Sequence, residues 1–315
     1  MPPGEKNQDM KYTDASPTGD RLIKRPIFLV SVLIFITLAW GCTVAPTKKL
    51  LIKNTSESFE AGTIFSSELG KPVTFEDMLT DLANSQVIYV GEQHTNTAHH
   101  KIQLEIIQAV FKNNPHMAVG MEMFDHTYQH VLDQWSQGKL DQKDFLRKTH
   151  WYVNWRFDFA LYSDILEFIK EHHIRLVALN IPSCIPPKIR EGGIDSLSDE
   201  EKAHLPKQID LNNPAHRDYL KKVFEEHKHH FRSEVEFDDF YAAQSVWEDA
   251  MAEKIAQSLN DAVMIVLAGD GHIQFKYGIP DRAFRRTDAP FRTIYLAPVG
   301  SEIEEDIADY IWVTQ

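Results

Sequence analysis

Only two cysteines, Cys42 and Cys184, occur in 315 residues, which excludes a disulfide framework. Cations are scarce as well: 33 Lys and Arg stand against 46 Asp and Glu, a net charge of −13. That balance excludes a general nucleic-acid binder, whose surface needs a basic footprint. Glycine (14) and proline (15) are too few for a collagenous or low-complexity chain. What is plentiful is histidine, 15 in all, in a chain 43% hydrophobic and so able to build a core. So many imidazoles direct attention to metal, cofactor or acid–base sites.

The N-terminus reads as an address. Lys6, Lys11, Arg21, Lys24 and Arg25 precede an apolar run, Pro26 to Trp40, that ends in Gly41-Cys42. The apolar stretch falls short of the roughly 20 residues that span a bilayer as a helix. Residues 1–41 are therefore expected to be a lipoprotein signal peptide, with Cys42 the lipidation site and 42–60 a lipidated tether. Thr43, where inner-membrane retention would place Asp, is similar to lipoproteins of the outer membrane, facing the periplasm or the surface. Cys184 is left without a disulfide partner.

From residue 61 to 315 a single α/β domain is expected. Pairing of Thr63–Phe65 with Pro72–Thr74 across Leu69-Gly70-Lys71 suggests a hairpin, followed by a helix at 75–84. Four non-alternating apolar runs, Gln86–Val90, Met117–Met121, Ile174–Leu179 and Ala262–Ala268, read as strands buried on both faces. Helical periodicities lie between them, so the sheet is expected to be central and mainly parallel, flanked by helices, with a long helical insertion around 125–260. Thr293–Ala297 and Tyr310–Val313 are expected as edge strands.

Each of the four runs ends in polar residues. Gly91-Glu92-Gln93-His94 follows the first, Glu122-Met123-Phe124 the second, Asn180 the third and Gly269-Asp270-Gly271-His272 the fourth. Ligands of open parallel sheets bind beyond the carboxyl ends of the strands, so four such tails predict one shared polar site. Glu92, His94, Glu122 and His272 suit general acid–base catalysis. Glu92, His94 and His272 equally suit a divalent metal. His99 and His100, on the next helix, and Gln244, on a later one, are further candidates.

The succession V-I-Y-V-G-E-Q-H-T-N-T-A-H-H, V-G-M-E-M-F and L-V-A-L-N-I-P, continued by Y-A-A-Q-S-V-W-E-D-A-M-A and V-L-A-G-D-G-H-I-Q-F-K-Y-G-I-P-D-R, resembles the ChaN-like haem-binding lipoproteins of the Tiki superfamily. The resemblance covers roughly residues 60–298. Two departures are visible: Trp247-Glu248 where relatives often read W-D, and Ser163-Asp164 after Tyr162 where they often carry Arg-Pro. The resemblance implies haem as cofactor, a role in haem or iron acquisition, a homodimer gripping haem, and a tyrosine as iron ligand, for which Tyr162 and Tyr241 are the candidates. Asn180, Gln244 and Asp270 join them as ligand-binding candidates. The wider superfamily also contains metalloproteases and erythromycin esterase-like hydrolases. By that likeness Glu92, His94, Glu122 and His272 would be a catalytic or metal-binding set, and the alternative reading is a hydrolase of esters or peptides.

Overall fold

Val87, Ile88, Tyr89 and Val90 are successive residues of one strand, and all four are buried. Ile88 and Val90 join one apolar cluster and Val87 and Tyr89 another, so the strand is covered on both faces and cannot alternate apolar with polar. The computed structural model describes residues 48–53, 55, 57–228, 235–260 and 262–315, which fall in one unit spanning Pro46–Gln315. The expected leader and the lipidation site at Cys42 lie outside the described residues.

The strands are β1 (Leu50–Ile52), β2 (Ser58–Phe59), β3 (Ile64–Ser66), β4 (Lys71–Val73), β5 (Val87–Glu92), β6 (Ala118–Asp125), β7 (Arg175–Asn180), β8 (Met264–Gly269), β9 (Phe291–Pro298), β10 (Glu302–Ile303) and β11 (Tyr310–Thr314). The main sheet has eight of them in the order β4-β3-β11-β9-β5-β8-β6-β7. From β11 to β7 every pairing is parallel, while β3 pairs antiparallel with β11 and with β4. The mainly parallel sheet and the β3–β4 hairpin follow the sequence reading. Two elements differ from it. The late runs are interior rather than edge strands, because β9 docks beside β5 and β11 lies between β9 and β3. Within the stretch expected as tether, β1 and β2 form a small sheet with β10.

Helices lie over both faces. Thr97–Asn113 starts from Asn96, whose side chain accepts from the Ala98 N–H, and carries the chain from β5 to β6. The helical stretch runs from 126 to 258 but is divided by β7, with Ser163–Glu171 before it and Ile185–Gly192 and Phe237–Ser258 after it. Ser163–Glu171 buries Ile165, Leu166 and Ile169, and each fully buried side chain of this size contributes about 1.5–3 kcal/mol. Gly120 on β6 shows how tightly β6 and β7 meet: a Cβ there would lie 3.0 Å from the Leu179 side chain. The outcome for the site is spatial. β5, β8, β6 and β7 are adjacent, so the four polar strand ends emerge side by side.

Candidate functional site

Glu92 is the last residue of β5 and is 1% exposed. A carboxylate this buried needs donors, and it has them. Tyr162 Oη donates to Oε1 at 2.5 Å and Gln103 Nε2 donates to Oε2 at 2.9 Å. His94 Nδ1 lies 2.8 Å from Oε1, and His100 Nδ1 lies 3.4 Å from Oε2. With Nδ1–H given to Glu92, the Nε2 edge of His94 is turned toward β8. A Cβ on Gly269 would sit 3.2 Å from that nitrogen, so glycine is what allows the imidazole to lie there. Burial opposes a proton on His94, but the Glu92 hydrogen bond and the charges of Glu122 and Glu92 outweigh it and raise its pKa above the usual imidazole value.

Glu122 lies on β6 where the register with β7 shifts between Met121 and Asp125, an irregularity that re-aims side chains at the strand end. The Gly269 N–H donates to Glu122 Oε2 at 2.6 Å, and His272 Nε2 approaches Oε1 at 3.5 Å. Burial alone would raise the Glu122 pKa; the charge and hydrogen bond of His272, then the His94 charge and the Gly269 N–H, hold it down to about 2. The same exchange, with burial opposing and Glu122 and Glu248 favouring the cation, carries His272 up to about 10. Glu248 Oε1 is 3.3 Å from His272 Nδ1. Gln244, one turn earlier on the helix Phe237–Ser258, reaches both, with its Nε2 2.8 Å from Glu248 and 3.0 Å from His272. Asn180 ties the third strand end in, donating to the Glu122 carbonyl at 2.9 Å and accepting from Trp247 Nε1 at 2.6 Å.

Behind this floor sits a second charged cluster. Glu248 Oε2 is 3.3 Å from His216 Nε2 and 3.4 Å from Arg282 Nε. Arg282 also pairs with Asp249, which accepts from Arg286 at 2.8 Å and from the Asp210 N–H at 2.8 Å. Glu248, Asp249 and Arg282 are all 0% exposed.

A cleft of about 330 Å³ opens over His94, Glu122, Asn180 and Gln244. Trp155, Phe157 and Trp247 line its walls, and the His94 ring lies 4.8 Å from the Trp155 ring and 5.0 Å from that of Phe157.

Not every candidate comes to the cleft. His99 takes the Gln93 N–H on Nδ1 at 2.9 Å and faces Thr314 with Nε2 at 3.2 Å, so it braces the turn after β5. His100 is spent on Glu92 and on the His94 carbonyl at 3.1 Å. Burial pushes the half-buried Asp270 carboxyl up to about 6, and it hydrogen-bonds Tyr295 instead of lining the cleft. Tyr162 and Tyr241 are 0% and 1% exposed. The Tyr162 proton is held by Glu92, and burial followed by that carboxylate pushes its pKa far up, which disfavours a tyrosinate. Tyr241 Oη donates to the Asn213 carbonyl at 3.4 Å, away from the cleft.

The metal candidates Glu92, His94 and His272 are engaged with other side chains. Among the described residues no three His, Cys, Asp or Glu side chains converge to hold a metal ion. Glu92 has both oxygens occupied by donors, and His272 is held between Glu122 and Glu248, so Glu92, His94 and His272 do not present a ligand set. Residues missed from sequence include Gln103, Trp155, Phe157, Glu248 and Arg282.

The fold has solved relatives. Over 79% of this chain and 95% of the other, it superposes on ChaN of Campylobacter jejuni, described as binding haem cofacially, with a TM-score of 0.62 at 20% identity. A mutant erythromycin esterase in an open conformation, 16% identical over 76% of this chain and 78% of its own, reaches a TM-score of only 0.43, a level that distinguishes no function. Among curated proteins the chain is 22% identical over 284 residues to Protein RETICULATA-RELATED 5, chloroplastic, of Arabidopsis thaliana, matching 78% of this chain but spanning only 37% of that protein. The sequence model described as "Haem-binding uptake, Tiki superfamily, ChaN" matches residues 78–283, from the first helix through every strand-end residue of the cleft. With that span matched, the chain belongs to the ChaN haem-binding uptake family of the Tiki superfamily.

Proposed function

We propose that this chain is a lipid-anchored envelope protein that binds haem for haem or iron acquisition, with a second copy closing over the bound group. The reading is supported most directly by the short helix Trp151–Asn154 at the cleft rim. Tyr152 and Val153 on it are 57% and 67% exposed, while Asn154 and Trp155 next in sequence line the cleft. Among the described residues Tyr152 is the exposed tyrosine, the others being buried or half-buried. Phenolate oxygen is a suitable axial ligand for ferric haem, and an exposed apolar neighbour suits a flat macrocycle and a facing copy. The helix is bounded by His150 and Arg156, both at positive φ (50° and 70°), so its exposure is built into the backbone. The anchor rests on the run Pro26–Trp40 followed by Gly41-Cys42. Haem supplies the redox-active iron; the chain supplies the phenol and the apolar face.

Haemin titrated into the detergent-solubilised full chain is expected to give a shifted Soret band, and Tyr152→Phe to weaken binding about tenfold or more. Tyr162→Phe and Tyr241→Phe should leave the spectrum unchanged. If Tyr152→Phe binds as the parent does, the iron is held elsewhere.

A second reading is carried by one observation, the Glu92–His94 pair at the cleft floor. A carboxylate fixing Nδ1 of an imidazole that lines a cleft is an arrangement used by general bases. On this reading the chain hydrolyses an ester, with rate rising through an imidazole pKa displaced upward by Glu92 and Glu122.

A further inference from the structure

His126 and His204, 78 residues apart, turn their ring nitrogens toward each other, and among the described residues no other two histidines do so. His126 Nε2 lies 3.1 Å from His204 Nδ1, and the ring centroids are 5.1 Å apart at a tilt of 43°. Local structure holds each residue in place. His126 opens the turn after β6, where the Thr127 N–H donates to Asp125 Oδ1 at 2.9 Å. His204 follows the helix Asp199–Lys202, which begins in a capping box of Ser198 and Glu201, and its N–H donates to the Glu201 carbonyl at 3.1 Å. Both residues are half-buried, so each keeps a side open to solvent. Two neutral imidazoles in this contact share one proton, one nitrogen donating and the other accepting. The same separation suits a metal ion. Two nitrogens about 2.05 Å from one ion and 3.1 Å from each other subtend about 98°, between the right angle of an octahedral edge and the tetrahedral angle. A small turn of each ring brings both lone pairs onto the ion. Burial, then Lys254 and His204, hold the His126 pKa below the usual imidazole value, which keeps the ring in the neutral form that ligates. Of the charges acting on His126, Lys254 opposes a cation and Asp125 favours one.

We propose that His126 and His204 form a site for one divalent late first-row ion, of the Zn²⁺ and Cu²⁺ class, with water on its remaining positions. Imidazole donors select these ions over Mg²⁺ and Ca²⁺, which take oxygen ligands. Two protein ligands make an open and exchangeable site rather than a closed structural one. On binding, the ion takes the place of the shared proton, which moves to the outer nitrogen of the ring that carried it. Both rings stay neutral, and no group is oxidised or reduced. The ion links residues 198–210 to the carboxyl end of β6. That segment otherwise packs on the domain through the half-buried Leu205 and Ile209. The site shares no residue with the Glu92–His94 pair or with Tyr152, so it stands whichever reading of the cleft holds.

The test titrates Zn²⁺ by calorimetry into the detergent-solubilised full chain, first stripped with a chelator, near pH 7.5. An ion is expected to bind with a Kd that His126→Ala and His204→Ala each raise about tenfold or more, while His116→Ala, on the far side of the sheet, leaves it unchanged. His204→Gln keeps a hydrogen-bonding side chain against His126, so it should fold as the parent does and still lose the ion. Cu²⁺ is the spectroscopic probe: its electron paramagnetic resonance should show coupling to two imidazole nitrogens in the parent and to one fewer in His204→Gln. Saturating Zn²⁺ should raise the urea midpoint of the parent and leave that of His204→Gln where it was. No binding by the parent at about 1 mM Zn²⁺ overturns the site. Binding that survives either histidine substitution, or Cu²⁺ spectra that do not change with His204→Gln, also overturns it by placing the ion elsewhere.

Discussion

Replacing Arg282 by methionine is expected to destabilise the protein by about 3–5 kcal/mol, the usual consequence of removing one partner from a buried ion pair. Arg282 is 0% exposed, and its guanidinium serves Asp249, Glu248, Ser245 and the Asp210 carbonyl at once. Methionine fills much of the same volume, so packing is largely kept and the loss is electrostatic. Asp249 shows how finely the cluster is balanced: burial pushes its carboxyl up despite Arg282, the Asp210 N–H and Arg286 all pulling it down. Without Arg282 the carboxylate must take up a proton or unfold its surroundings. The double variant Asp249→Asn, Arg282→Met should therefore be less destabilised than the sum of the single variants, since each removes what the other leaves unpaired. Urea unfolding with a common m-value checks both statements. A loss under about 1 kcal/mol for Arg282→Met would show that Arg286 and His216 suffice to neutralise the cluster.

These buried charges also mark what the sequence conceals. Trp247-Glu248-Asp249 reads as an ordinary mixed helix face, since charged residues on a helix are commonly solvated. Here residues 241–252 of the helix Phe237–Ser258 are buried or half-buried on every side: Trp247 turns to Asn180, Glu248 to His272 and Asp249 to Arg282. Nothing local in the sequence distinguishes the two situations, because enclosure comes mainly from Ile185–Gly192 and Ile279–Thr287, which pack against it from elsewhere in the chain. The strand ends were legible for the opposite reason. An apolar run that stops in Gly-Glu or Gly-Asp carries its own boundary, and a parallel sheet brings all such boundaries to one edge. Sheet order was not legible, since β9 and β11 are apolar enough for either an edge or an interior place. The tyrosine candidates failed on burial, which spacing does not encode: Tyr162 braces Glu92, while exposed Tyr152 sits in a four-residue helix too short for a periodic signal.

Stability is expected to be greatest near pH 5–6 and to decline toward alkaline pH, with His272 as the main cause. Its folded pKa of about 10 lies above the ordinary imidazole value of 6.5, so the folded state binds the extra proton between those values. The stabilisation is complete below pH 6.5 and is lost as pH rises through 10. Glu122 acts on the acid side. Its folded pKa of about 2 lies below 4.5, so its contribution is present above pH 4.5 and is lost as pH falls through 2. Asp270, raised from 3.8 to about 6, has the sign of His272: the folded state holds its proton longer, and stability drops as pH rises through that window. The alkaline limb should amount to a few kcal/mol, because each tenfold gain in proton affinity on folding is worth about 1.4 kcal/mol and His272 divides its interaction between Glu122 and Glu248. His272→Gln leaves Glu122 and Glu248 without their cation, so it should be less stable at pH 6 and nearly flat from pH 7 to about 10. Urea midpoints collected across that range test the assignment. An alkaline decline that survives in His272→Gln would transfer it to another group, of which His94, raised in the same direction by Glu92 and Glu122, is the first to examine.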